Sequence, residues 1–126
     1  MQPLALFSLA SQNASWLSTR QATIANNVAN ANTPGYRAAD VQPFSAVLSH
    51  LNLPMATTSA GHIQPASFGG GKVNVKTADS WDVLYSGNSV DLEQEMMKAG
   101  DVNRAHALNV NVTRAFHQML MNAVKS

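Results

Sequence analysis

Phe7, Ala10, Ala14, Leu17, Gln21, Ile24, Val28 and Ala31 recur at alternating steps of three and four, and the series stops just short of Pro34-Gly35. That spacing describes a helix with an apolar heptad stripe, broken once by Gln21. Pro3 is tolerated in a first turn and the chain must leave the helix before Pro34, so the pattern predicts a helix of about 29 residues and roughly 43 Å. A helix that long outgrows a small globule, and its stripe needs a partner.

A second stripe supplies one. Leu92, Met96 and Ala99, then Leu108, Val112, Ala115, Met119 and Ala123, repeat at helical spacing, with Phe116 and Leu120 broadening the face. The helix is expected to begin near Asp91, where Asp91, Glu93 and Glu95 meet the positive end of the helix dipole. Gly87-Asn88-Ser89 supplies turn and cap residues ahead of it. It should run to about Ala123, with Gly100-Asp101 as the one interruption; glycine there is about 1 kcal/mol less favourable than alanine, and a kink or two shorter helices is the competing arrangement.

The segment between the stripes carries Pro43, Pro54, Pro65 and Gly69-Gly70-Gly71, with little regular apolar repeat. Val41, Phe44, Val47, Leu48 and Leu51 fit a short amphipathic helix or turn, and Lys72-Val73-Asn74-Val75-Lys76 alternates as a short strand does. Trp81, Val83, Leu84 and Tyr85 are candidates to anchor the return. The expected fold is mainly α: two long terminal helices in a coiled-coil-like hairpin around an irregular, partly extended middle. The expected divisions are an N-terminal helix over 1–33, a connector over 34–89 and a C-terminal helix over 90–126.

Asn26, Asn27, Asn30 and Asn32 place four uncharged amides in seven residues at the end of the first stripe. An amide is buried far more cheaply than a charge. Asn26, Asn27 and Asn30 fall within the predicted helix, where asparagine is a poor helix former and must recover the loss through hydrogen bonds, here assigned to a helix interface. Asn32 is a local cap for the helix carbonyls, and Thr33-Pro34-Gly35-Tyr36 fits a type II turn with proline second and glycine third. The candidate interface residues on the first helix are Leu17, Ile24, Asn26, Asn27, Val28, Asn30 and Ala31. On the second they are Leu92, Met96, Leu108, Val112, Phe116 and Met119.

Composition narrows the partners and the chemistry. Of 126 residues only 12% are charged and 45% are apolar, with a formal net charge of +1, so much of the surface is amide, hydroxyl or alanine. The Lys and Arg residues stand singly, which argues against nucleic acid and anionic membrane. The chain has no cysteine, and with it no disulfide, thiol nucleophile or thiolate metal site. The apolar start lacks the basic region of a secretory signal, and no stretch approaches the roughly 20 apolar residues of a membrane span, so neither signal cleavage nor membrane insertion is expected.

Catalytic patterns are equally thin. His50 and His62 lie in the irregular middle; His106 and His117 share a helix face but stand about 16 Å apart, too far to share a metal. Asp91, Glu93 and Glu95 read as first-turn charges. No serine sits in a Gly-x-Ser-x-Gly elbow, and Gly69-Gly70-Gly71-Lys72 lacks phosphate-loop spacing. No enzyme activity, cofactor or metal is expected.

Ala25-Asn26-Asn27-Val28-Ala29-Asn30-Ala31-Asn32-Thr33-Pro34-Gly35-Tyr36 resembles the signature of the bacterial flagellar basal-body rod and hook proteins. Tyr36-Arg37-Ala38-Ala39-Asp40 with Phe44 and Leu48, then Gly61-His62-Ile63, then Gly87 to Met96, resembles the order of segments in proximal-rod members. The resemblance spans nearly the whole chain. It implies a structural subunit exported by the flagellar type III apparatus without signal cleavage, which polymerises through its terminal helices into the hollow, torque-transmitting proximal rod across the periplasm. The implied partners are further copies of the chain, rod proteins of the FlgC, FlgF and FlgG types, the adaptor FliE and the membrane ring FliF. The neighbouring FlgC type is the alternative within the family, and a soluble helical adaptor or export chaperone the alternative outside it.

Overall fold

The computed structural model describes residues 3–49, 74–78 and 83–125. Two long helices dominate: α1 (Pro3–Ala29, 27 residues) and α3 (Leu92–Lys125, 34 residues), about 40 and 51 Å long. They pair as an antiparallel hairpin, with Phe7 against Phe116 at one end and Asn27 against Glu95 at the other. Between them come β1 (Ala39–Val41), the short helix α2 (Phe44–Ser49) and β2 (Val75–Thr77). The mainly-α expectation with two terminal helices holds.

On α3 the seam is strictly heptad. Glu95, Val102, Asn109 and Phe116 stand seven apart and each meets α1: Glu95 at Asn27, Val102 in the core with Leu17, Asn109 at the Ala10 carbonyl and Phe116 at the Phe7 ring. The core is small, built from Trp16, Leu17, Ile24, Val41 and Val102, with Phe44, Val47, Ala99 and Ala105 packed around it. Trp16 lies tilted against Phe44, ring centroids 5.8 Å apart, and donates its indole N–H to the Gln42 carbonyl at 2.8 Å, fastening α2 onto α1.

Several local expectations change. α1 ends at Ala29, so Asn30 and Ala31 lie in the turn that follows it rather than in the helix. α3 passes through Gly100 without a break, because the continuous α1 seam supports both halves. Val41 belongs to β1 and α2 covers only Phe44–Ser49. β2 is shifted to Val75–Thr77 and pairs antiparallel with β1, Ala39 opposite Thr77 and Val41 opposite Val75. The readings placed on His50, Leu51, Pro54, His62, Pro65, Gly69-Gly70-Gly71, Lys72-Val73 and Trp81 lie outside the described residues. No helix among the described residues is long and apolar enough to cross a membrane.

Candidate assembly interface

The asparagine segment folds into a joint between the two ends of the chain. Asn27 is fully buried, and all four hydrogen-bonding positions of its amide are filled. Its Nδ2 donates to the Ala39 carbonyl at 2.7 Å and to Glu95 Oε2 at 3.1 Å. Its Oδ1 accepts the Ala39 N–H at 3.0 Å and the Tyr36 hydroxyl at 3.3 Å. One side chain therefore ties α1 to β1 and to the first turns of α3. Slipping α3 by one heptad sets apolar Val102 opposite this amide and removes its bond to Glu95 while those to Ala39 and Tyr36 remain, so the buried Asn27–Glu95 pair favours one register inside the chain.

Glu95 is the partner that charge reasoning misplaces. It is 1% exposed, far from the solvated first-turn carboxylate expected from its position. Lys98 Nζ reaches Glu95 Oε1 at 2.9 Å and Asp40 Oδ2 at 3.3 Å, while Arg20 Nε lies 3.5 Å from Asp40 Oδ1, an ion pair by distance without hydrogen-bond geometry. Two acids and two bases leave the group neutral, and Arg20 also stands 5.4 Å from the Trp16 ring centroid. A buried carboxylate needs this completeness, since its desolvation is repaid only when charge and lone pairs are both matched.

The end of α1 is closed from a distance. Asn88, 1% exposed, shares its two amide N–H groups among the carbonyls of Asn30, Ala31 and Thr33 at 2.8–2.9 Å. Asn32, the local candidate for this task, is exposed. The predicted type II turn is present: the Tyr36 N–H reaches the Thr33 carbonyl at 3.3 Å and Gly35 takes φ 73°. A second left-handed glycine, Gly87 at φ 77°, lies against it, and Gly35 N–H to Ser86 carbonyl and Ser89 N–H to Tyr36 carbonyl, both 3.0 Å, join the two segments. The helix cap of α3 is Asp91 itself, whose Oδ1 accepts the N–H groups of Glu93 and Gln94.

These placements redistribute the candidate interface residues. Leu17, Ile24 and Asn27 are covered by the chain's own α3 and β1, so they hold the hairpin and present nothing to a neighbour. Phe116 is partly covered through its edge contact with Phe7. Asn26 and Val28 remain exposed on α1, as do Leu92, Met96, Leu108, Val112 and Met119 on α3. Asn30 is turned onto its own helix end, donating to the Asn26 carbonyl. Trp16, Asn88, Ser89 and Glu95 were not singled out by sequence as joint residues; an aromatic one step off the stripe was the one available signal for Trp16.

Two open grooves flank the α1/α3 seam, one of about 540 Å³ on the side of His106, Val110, Arg114 and His117, and one of about 260 Å³ on the side of Leu6, Leu9, Leu108 and Val112. No group of three acidic or histidine side chains able to hold a metal occurs among the described residues. The long hairpin, closed at one end by an amide joint, thus keeps apolar side chains exposed along both flanks of its seam.

The family model described as "Flagella basal body rod protein" matches residues 13–37, the second half of α1 and the turn beyond it. Over 132 aligned residues the chain is 40% identical to the flagellar basal body rod protein FlgB of Agrobacterium fabrum (strain C58 / ATCC 33970), covering 99% of this chain and 96% of that protein. The chain belongs to the flagellar basal-body rod proteins, in their FlgB type. It is a structural subunit of the basal-body rod; the adaptor and FlgC-type alternatives are not favoured.

Proposed function

We propose that the hairpin is the packing unit of the proximal rod, polymerising into a hollow shaft that carries torque from the membrane ring to the distal rod. The observation that carries this reading is the apolar surface left after the hairpin has formed. Leu108, Val112 and Met119 lie on one side of the α3 seam, and Leu92, Met96, Val110 and Met121 on the other, all exposed. Monomeric proteins rarely leave two such stripes uncovered, and neighbours on both flanks bury them.

In this reading the chain contacts copies of itself and rod proteins of the FlgC, FlgF and FlgG types, with FliE and FliF at its base, and has no catalytic role. Its site is the periplasm-spanning rod, reached unfolded through the type III export apparatus without signal cleavage. The lack of cysteine is compatible with that route, since nothing cross-links in transit. A cryo-electron microscopy map of isolated basal bodies tests the assignment: α1 and α3 should fit density between the membrane ring and the distal rod. Recovery of the chain only in cytoplasm, absent from isolated rods, rejects it in favour of an adaptor.

A further inference from the structure

Charge is divided unevenly along this molecule. All seven Asp and Glu residues lie between Asp40 and Asp101, and neither residues 1–39 nor residues 102–126 contain one. The larger groove is lined by residues of these two stretches alone. Phe7, Ala10, Ala14 and Val110 give it apolar walls, and His106, Arg114 and His117 line the same side over about 16 Å of helix.

At the opposite end of α3, the outward face of the first turns exposes Leu92, Met96 and Met97 around Glu93. Glu93 forms no ion pair among the described residues, whereas Asp91 beside it is occupied as the helix cap. Gly100 continues this face two turns on. It is exposed, and a Cβ built on it meets nothing within 4 Å. The chain itself thus gives no steric reason for glycine in the middle of a 34-residue helix, where alanine is more favourable; close approach of another chain does give one.

We propose that the outer face formed by Leu92, Glu93, Met96, Met97 and Gly100 in one copy docks into the groove lined by His106, Arg114 and His117 in a second copy. The inference rests on the reading of the chain as a self-assembling rod subunit and names the surfaces involved. Apolar side chains around a carboxylate meet apolar walls that carry the Arg114 guanidinium, so the pair is complementary in both respects. Glu93 and Arg114 stand about 31 Å apart on one continuous helix, so no chain can satisfy both surfaces itself. Used on two different neighbours, the two surfaces make a head-to-tail joint that propagates or closes a ring, whereas an antiparallel two-fold pair matches both reciprocally.

The absence of native cysteine makes cross-linking direct. Full-length Glu93→Cys and Arg114→Cys proteins are mixed under mild oxidation at a concentration where the wild-type chain associates by sedimentation. The mixed disulfide should exceed its statistical share over both homodisulfides. In parallel, Glu93→Arg and Arg114→Glu should each weaken association about tenfold, with the double reversal recovering most of it. Gly100→Ala should weaken association while leaving helical circular dichroism equal or higher, an outcome that loss of folding cannot produce. Association of the wild type without the mixed disulfide, or with charge reversals that have no effect, overturns this docking alone. A wild-type chain that stays monomeric throughout overturns the self-assembly reading and the docking with it.

Discussion

Asn27 donates its amide to Glu95 across 68 positions of sequence at 3.1 Å, with both side chains at most 1% exposed. The pair joins the end of the first helix to the start of the last. Asn27→Ala leaves the Ala39 groups and one Glu95 oxygen unpaired in the interior and should lower stability by about 3 kcal/mol, read as the urea midpoint of the helical circular dichroism signal. Asn27→Leu/Glu95→Leu together should cost less than the sum of the single changes. Additive losses show that the two side chains act independently.

Asn88 is the long-range cap of α1, and aspartate cannot replace it because a carboxylate has no N–H to give the three carbonyls. Asn88→Asp and Asn88→Ala are each expected to lose about 2 kcal/mol. Hydrogen exchange should locate the damage: the Gly35 and Ser89 amides, bonded across the joint, should exchange faster than those at the middle of α1. Uniform acceleration along the helix contradicts a capping role.

Gly35 and Gly87 both hold positive φ, so Gly35→Ala and Gly87→Ala should each cost about 1–2 kcal/mol from backbone conformation alone. Space is not the obstacle, since a Cβ at Gly87 finds its nearest neighbour, Gly35 Cα, at 3.5 Å. Pro34→Ala loosens only the unfolded-state restriction and should cost about 0.5 kcal/mol. Thermal midpoints check the assignment, with both glycine variants falling below Pro34→Ala; equal losses at Pro34 and Gly35 contradict it.

Asn26 separates assembly from folding. It lies next to Asn27 in sequence but is exposed, so Asn26→Leu should leave hairpin stability within about 0.5 kcal/mol and still impair rod formation if that face meets a neighbour. Motility in soft agar, compared with urea midpoints of the purified variant, reads both quantities. Normal swimming removes Asn26 from the interface.

Much of the fold was legible because its determinants are local. The three-and-four spacing from Phe7 marked α1, the acidic start marked α3, and Thr33-Pro34-Gly35-Tyr36 marked the type II turn in place. The heptad reading identified the paired face of α1 around Leu17 and Ile24, yet it assigned Leu17, Ile24 and Asn27 to contacts between copies, and on α3 it picked an exposed stripe that shares only Phe116 with the seam of Glu95, Val102, Asn109 and Phe116. A stripe reports that a face is buried and carries no label for what buries it.

The sequence by itself determined the helices, their lengths within a few residues, the stop between them and the scarcity of catalytic groups, since periodicity, turn chemistry and composition act over a few residues. Tertiary structure alone decided that the Asn27–Glu95 pair favours one register inside the chain, that Asn88 rather than Asn32 closes α1, that Glu95 is buried with Lys98, and that β1 finds β2. Each of those partnerships spans tens of residues, and a hydrogen-bonding side chain is committed only when docking of the two helices sets which unpaired group faces it.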